Sequence, residues 1–351
     1  MDPRFAIVGC YTTPDRRGRG LGIEVFALDS PGPRWRHIAT TPADNPSYLV
    51  MDAAQRTLYV AHGALPTISA YRFDAATGAL SLLGVQDAGG VNPVHLVMTP
   101  DGRHLLAANY SSGTLVALPI LANGALGSPR HRLQLAGRPG PVAGEQKGPH
   151  PHNMPLSPRG RWLVVPDKGL DKIFVVQFAP DAGGFSIATE TIVAAGSGPR
   201  HARFHPTLPR LYVNHELTGR IATYAFDERN GRLLTIGEVA GLPARFDGWN
   251  ASGDMVISPT GRRLYVSNRG HDSIAEFDID AATGSLAPAR WRPSGGHFPR
   301  FLALSPDGGF LHAANQDGGV IARHRLGPDG ALGEIDLRVE TGSPACIVFA
   351  G

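Results

Sequence analysis

Only two of the 351 residues are cysteine, Cys10 and Cys346, which excludes a disulfide framework and every multi-cysteine metal motif. Reduced thiols in a reducing compartment are the expectation. Charge of one sign is scarce as well. The 33 Lys and Arg against 30 Asp and Glu leave +3, without basic runs or interleaved aromatics, so no nucleic-acid footprint is expected. No run approaches the roughly 18 apolar residues of a membrane span. The opening Met1-Asp-Pro-Arg-Phe5 also lacks the basic-then-apolar pattern of a secretory leader. A soluble cytoplasmic protein with no membrane partner is therefore expected. Long amphipathic helical stretches are missing too; 44 Gly and 30 Pro suit many tight turns between short strands instead.

A seven-residue phrase recurs along the chain: an apolar run, a turn resembling Ser-Pro-Asp-Gly-Arg, then a second apolar run. Its copies close on Leu58, Leu105, Leu163, Leu211, Leu264 and Leu311, which lie 47 to 58 residues apart. That period, with Pro/Gly turns between short strands, indicates a radial array of four-stranded antiparallel sheets, an all-β propeller. Each blade has an inner strand A before the turn and strand B after it. A seventh blade is split: Phe5 to Tyr11 reads as strand B and Gly22 to Leu28 as strand C, while Gly342 to Phe349 supplies their strand A. Closure by both termini removes the open edges of a linear stack. Because each unit packs on its neighbours, residues 1–351 form one seven-bladed domain. Strands C, such as Ile68 to Phe73, carry the alternation of half-buried sheet. Cys346 begins strand A and Cys10 ends strand B of the split blade, which sets the two thiols near each other, unbridged.

Strands A and B form a tight hairpin, so the start of A and the end of B emerge together on one face near the central channel. Unusual residues collect there. The lead-in to A reads Gly148-Pro-His-Pro-His-Asn153 in blade three, Gly198-Pro-Arg-His201 in blade four and His297-Phe-Pro-Arg300 in blade six. The exits of B read Pro166-Asp-Lys168, Asn214-His-Glu216, Ser267-Asn-Arg-Gly-His-Asp272 and Asn315-Gln-Asp317. Counted from residue 208, an unbulged hairpin sets Arg200 opposite Glu216. With His152 and Arg269 from the flanking blades, the funnel offers a titratable base, a second carboxylate base and two anion-binding forks. His150, His201, Asn268, Arg300 and Lys168, in the same phrases, are candidate substrate contacts.

Other histidines need less. His62, His95, His215 and His271 lie at similar rim positions, where filling the channel is role enough. His104, His131, His205, His312 and His324 fall at turns or outer strands. The doublet His150-Pro-His152 matches no zinc or calcium spacing, so no metal is expected. Two long connections, residues 122–148 and 241–251, belong to the site face. Read as filler they need no function; read as a rim, they offer Phe246 or Trp249 as cover and Lys147 or Arg245 as anion contacts.

At these phrases the chain resembles the seven-bladed propeller lactonase family, with its 6-phosphogluconolactonase and carboxy-cis,cis-muconate cyclase branches. The matching phrases are Val8-Gly-Cys-Tyr-Thr12, Asn45-Pro-Ser-Tyr-Leu49, Ala108-Asn-Tyr-Ser111, Gly148-Pro-His-Pro-His152, Gly198-Pro-Arg-His201, Asn214-His-Glu-Leu217, Ser267 to Ser273 and Ala314-Asn-Gln-Asp317. In the cyclase branch the proposed catalytic set is a histidine, two arginines and a glutamate, which the resemblance carries to His152, Arg200, Glu216 and Arg269. It implies an enzyme that needs no cofactor and acts on a small anionic lactone or carboxylate. Hydrolysis of a sugar lactone, 6-phosphogluconolactone foremost, is the leading expectation. Arg200 and Arg269 would bind the anion, and either Glu216 or His152 would take the proton from water. A cycloisomerase of the muconate type is the second reading. A non-catalytic binding platform is the third, against which stands a rim rich in His, Arg and Glu rather than aromatic anchors. No surface pattern speaks to oligomeric state.

Overall fold

The repeated turn phrase has a local physical cause. Its first residue turns a side-chain acceptor onto the backbone of strand B: Ser157 Oγ accepts from Trp162 N–H at 3.2 Å, Ser258 Oγ from Arg263 at 3.0 Å, Ser305 Oγ from Phe310 at 2.9 Å and Thr99 Oγ1 from His104 at 3.1 Å. The glycine that follows Pro-X adopts the left-handed region, with φ of 68° at Gly102 and 70° at Gly160 and Gly261. A side chain there would be strained. Asp52 substitutes a carboxylate cap on Thr57, and His205 Nδ1 accepts from Thr207 and Leu208 in the divergent fourth copy.

These turns organise a computed structural model that describes residues 4–28 and 34–351; Met1–Pro3 of the leader reading lie outside the described residues. Seven antiparallel sheets form the ring, a seven-bladed β-propeller. Taking blade four as the pattern, strand A is Pro199–Phe204, B is Arg210–His215, C is Arg220–Asp227 and D is Arg232–Ala240, paired in that order. The split blade is as expected: Pro344–Ala350 pairs antiparallel with Phe5–Cys10, from Phe5 opposite Ala350 to Gly9 opposite Cys346. Blade three departs from the pattern. Its inner strand survives only as the bridges Pro151–Asp167 and Leu156–Leu163. Pro149, Pro151 and Pro155 remove ladder donors from that segment.

Seven apolar clusters hold the ring, one at each interface between neighbouring blades. Strand C is buried on both sides through most of its length, so its alternation records which neighbouring blade each side chain packs against rather than half-exposure. Half-exposure belongs to strand D, as along Leu332–Glu340. The same two-sidedness separates the thiols. Cys346 packs with Leu49 and Val60 toward blade one, and Cys10 with Ala314 and Ile321 toward blade six, so adjacent cross-strand positions point the sulfurs to opposite faces. No helix among the described residues is long and apolar enough to cross a membrane.

Candidate active site

Strand A slips against strand B by one residue at the same place around the ring. The shift falls just after Pro46, Pro93, Pro199 and Pro299, and at Ala345 in the split blade. The two bridges of blade three enclose the same slip. A β-bulge bends its strand and re-aims a side chain. The residues placed there are Ser47, Val94, His152, Arg200, Arg300 and Ala345. Blade five makes the same one-residue slip without the proline: Gly253 and Asp254, between the paired Ser252 and Met255, together face the single residue Ser267.

The bulge corrects the pairing expected for Arg200. Pro199 pairs with His215, and Glu216 lies beyond the strand with its N–H on Gly198 O at 2.7 Å. The two side chains still meet, Arg200 Nε 2.8 Å from Glu216 Oε2. Glu216 is a hub: Lys168 Nζ stands 2.8 Å from Oε1 and Arg269 Nη2 3.1 Å from Oε2. Burial pushes its carboxyl up, but Arg269, Lys168 and Arg200 pull it further down, well below the usual range. Arg200 also donates from Nη1 to Gly253 O, and Nη1 stands 3.0 Å from His201 Nε2. These contacts tie it to Glu216 and to blade five. Burial and the nearby Arg269 lower it to about 9, so it stays charged at neutral pH.

His152 and His201 face each other, His152 Nδ1 3.3 Å from His201 Nε2. Burial, then Arg200, holds both well below the ordinary histidine value, so both are neutral at pH 7. Arg300 also lies within charge range of His152, Arg200 and Arg269, and its guanidinium sits 5.2 Å over the Tyr11 ring. Among the described residues Arg300 has no carboxylate partner.

The remaining expected contacts divide. Lys168 belongs to the centre and also reaches Glu145 at 2.6 Å, so the 122–148 connection enters the site through Glu145 rather than Lys147. His150 stacks on Tyr110 with centroids 4.4 Å apart and flanks the centre. Asn268 does not join it: its amide donates to Gly241 O at 2.9 Å and Ser273 Oγ at 3.3 Å, beneath the second connection. In that connection Trp249 stacks on Phe298 at 6.1 Å, and Phe298 covers the Arg269 guanidinium at 5.3 Å. Phe246 packs on His271, and Arg245 is exposed. His95 packs at a tilt on Tyr48, while His62 is bonded to Asp44 O and Ser69 Oγ. His215 is buried 3.4 Å from Glu238 and away from the site.

Two buried carboxylates escaped the sequence reading. Asp167 Oδ1 gathers the N–H groups of His150, Gly169 and Leu170 at 2.9 to 3.0 Å and so shapes the Lys168 corner. Its pKa is raised to about 7 by burial. Asp254, fully buried, faces His201 and Arg203. The Pro-Asp-Lys exit phrase could have singled out Asp167; nothing comparable marked Asp254. No group of three His, Cys, Asp or Glu among the described residues is disposed to hold a metal.

A closed ring whose one mouth gathers a neutral imidazole, an ionised carboxylate and four cations is the setting of a propeller enzyme. The chain belongs to the lactonase family of seven-bladed β-propellers, whose model matches residues 5–349. It is 30% identical to a 6-phosphogluconolactonase of Bacillus subtilis, with 99% of each chain covered. A 6-phosphogluconolactonase of Formosa agariphila is 32% identical over 88% of each. The structure of a periplasmic gluconolactonase from Pseudomonas aeruginosa superposes with a TM-score of 0.92 at 31% identity, covering 99% of both chains.

Proposed function

We propose that this chain hydrolyses 6-phosphogluconolactone to 6-phosphogluconate, with His152 as general base. The observation that carries the reading is the charge balance of the funnel. Lys168, Arg200, Arg269 and Arg300 are set against Glu216 and Glu145, while Asp254, also near Arg200, is matched by Arg203; with the histidines neutral this leaves an excess of two positive charges. A phosphate monoester, close to doubly negative near pH 7, matches that excess. The names of the B. subtilis and F. agariphila relatives support the same substrate.

Glu216, held ionised by three cations, is too weak a base to take a proton from water; it fixes the cations instead. His152, neutral because burial and Arg200 disfavour its charge, keeps a lone pair for that step. General-base help of this kind contributes about 10² to 10⁴ in rate. Water adds to the lactone carbonyl as His152 removes its proton. Arg269 stabilises the oxyanion, for which one preorganised donor is worth about 3 to 4 kcal/mol, while Arg300 receives the phosphate. The bond from the carbonyl carbon to the ring oxygen then breaks, the ring oxygen takes the proton from His152, and the carboxylic acid so formed ionises, releasing its proton to solvent as the carboxylate leaves. A doubly charged sugar phosphate does not cross a membrane unaided, so we place the protein with a cytoplasmic pool.

The test is a pH-indicator assay with freshly generated 6-phosphogluconolactone beside δ-gluconolactone, each corrected for spontaneous opening. Faster proton release with the phosphorylated lactone, lost in His152→Ala, is expected. No acceleration of either lactone would overturn the reading and turn attention to cyclisation of a carboxymuconate, followed by its ultraviolet absorbance.

A further inference from the structure

Below the cations lies a line of three buried groups. Asp254 Oδ1 is 2.7 Å from His201 Nδ1, and His201 Nε2 is 3.3 Å from His152 Nδ1. Counting donors along the line fixes the protons. The other partners of Asp254 are all donors: Arg203 Nη2 at 3.1 Å and the backbone N–H groups of Met255 at 2.8 Å and Leu302 at 3.3 Å. Asp254 is therefore an acceptor throughout, and the proton of its contact with His201 sits on His201 Nδ1. A neutral imidazole carries one proton, so His201 Nε2 is a lone pair. Arg200 Nη1, a donor 3.0 Å away, agrees with that. His152 Nδ1 shares this lone pair with Arg200 as a second, longer donor at 3.3 Å, since two lone pairs would repel there, which leaves His152 Nε2 unprotonated.

We infer that Asp254 and His201 are positioning residues that hold His152 in its Nδ1–H tautomer, so that Nε2 is the nitrogen offered to the attacking water. This rests on the reading of His152 as general base. The backbone is shaped to the purpose. Blade five alone replaces the Pro-X bulge with Gly253-Asp254, and a Cβ on Gly253 would stand 2.4 Å from Ser267 Oγ and 2.8 Å from Pro299 O. The bulge beside Asp254 is thus closed to other residues at Gly253. His201 is fixed from behind, its N–H on Asn214 Oδ1 at 2.9 Å.

The line also bears on charge. Arg200, Arg300 and Glu216 face His152, and Arg200, Arg203, His95 and Glu216 face His201. Glu216 is already shared by three cations. Asp254 is the carboxylate in direct contact with the histidine pair, and it offsets the charge that arrives when Nε2 takes a proton, as an orienting carboxylate does for an imidazole base elsewhere.

The deciding measurement is a long-range ¹H–¹⁵N correlation spectrum of the histidine rings in the full chain at pH 7.5, with His152→Gln and His201→Gln assigning the two signals. Both rings are expected as Nδ1–H with a bare Nε2. His152 protonated on Nε2 in the unaltered chain would overturn the inference without any variant having to fold and without any substrate. In Asp254→Asn the His152 signal should move toward a tautomer mixture, with kcat falling about tenfold or more while KM stays within about twofold. An unchanged tautomer, whether or not kcat falls, would overturn it and leave Asp254 a structural role at most. Full activity of His152→Ala in the lactone assay would instead remove the base assignment, an outcome the tautomer spectrum keeps separate.

Discussion

Lys168 Nζ stands 2.8 Å from Glu216 Oε1 across the boundary between blades three and four, with both side chains buried. Removing one partner of a buried ion pair leaves the other uncompensated and costs about 3 to 5 kcal/mol. Here the carboxylate also separates Arg200 from Arg269, so Glu216→Gln leaves three cations facing each other. The variant should unfold at a lower temperature and lose activity. Inorganic phosphate should then raise its Tm more than it raises that of the parent, since an added anion restores the missing charge. Thermal unfolding with and without phosphate decides; equal shifts in both proteins would show that the cations are not the open site.

Arg300 is the cation that brings no carboxylate of its own among the described residues, which makes it the natural receiver of the substrate's anionic group. A hydrogen bond to a charged group is worth about 1.5 to 3 kcal/mol. Arg300→Ala should therefore raise KM for 6-phosphogluconolactone by about 10- to 100-fold, with a much smaller change for δ-gluconolactone. Arg300→Lys should recover part of the loss, because an ammonium keeps the charge but not the two-pronged geometry. Equal losses for both lactones would move Arg300 from the phosphate to the carbonyl.

The pH profile follows from the direction in which His152 is shifted. The base works unprotonated, and burial with Arg200 moves its pKa below the ordinary 6.5. The acid limb of kcat/KM, which reports the free enzyme, should accordingly lie below pH 6.5, with a plateau from there through neutrality. Stability has the same sign. His95, His201 and His312 are lowered as well, so the unfolded chain binds more protons than the folded one as pH drops below 6.5. Folding stability must then fall with acid. An acid limb above 6.5 would contradict the buried, cation-facing position of His152.

The number of blades was legible because the turn phrase is a capping device: a side-chain acceptor recurs where strand A reverses into B, and in four of the six copies a left-handed glycine follows it. The meeting of His152, Arg200, Glu216 and Arg269 was legible as a neighbourhood for the same reason. Its internal geometry was not. Counting along the Arg200 hairpin assumed an even ladder, and a bulge that needs no residue signature beyond Pro-X moved the pairing. Asn268 looked like a rim residue by its place at the end of strand B, yet it adjoins Arg269, and side chains alternate along a strand. If Arg269 faces the funnel, Asn268 cannot. Asp254 was hidden because blade five makes its bulge without the proline that marks the other blades.

Phe298 occupies the position that Asn45, Asn92 and Gly198 hold before the corresponding prolines, and like them it is left-handed, with φ of 62° against 43°, 62° and 61°. Asn and Gly tolerate that conformation; for a bulky L-residue it costs about 1 to 2 kcal/mol. The ring must be worth that cost to something other than folding, since it is half-buried and spends its faces on Trp249 and the guanidinium of Arg269. Its backbone is clamped to Asp272 Oδ1 at 2.8 Å and receives Gln316 N–H at 3.0 Å, so the strain is held in place from both sides. Phe298→Asn should release the strain while forfeiting an aromatic contact worth about 0.5 to 1.5 kcal/mol, leaving stability within about 1 kcal/mol of the parent. KM should rise, because Trp249 loses its platform and Arg269 its cover. Denaturant unfolding and initial rates, measured on the same preparation, test both halves. A stability loss of several kcal/mol with KM unchanged would make Phe298 a core residue, and the strained backbone would need another explanation.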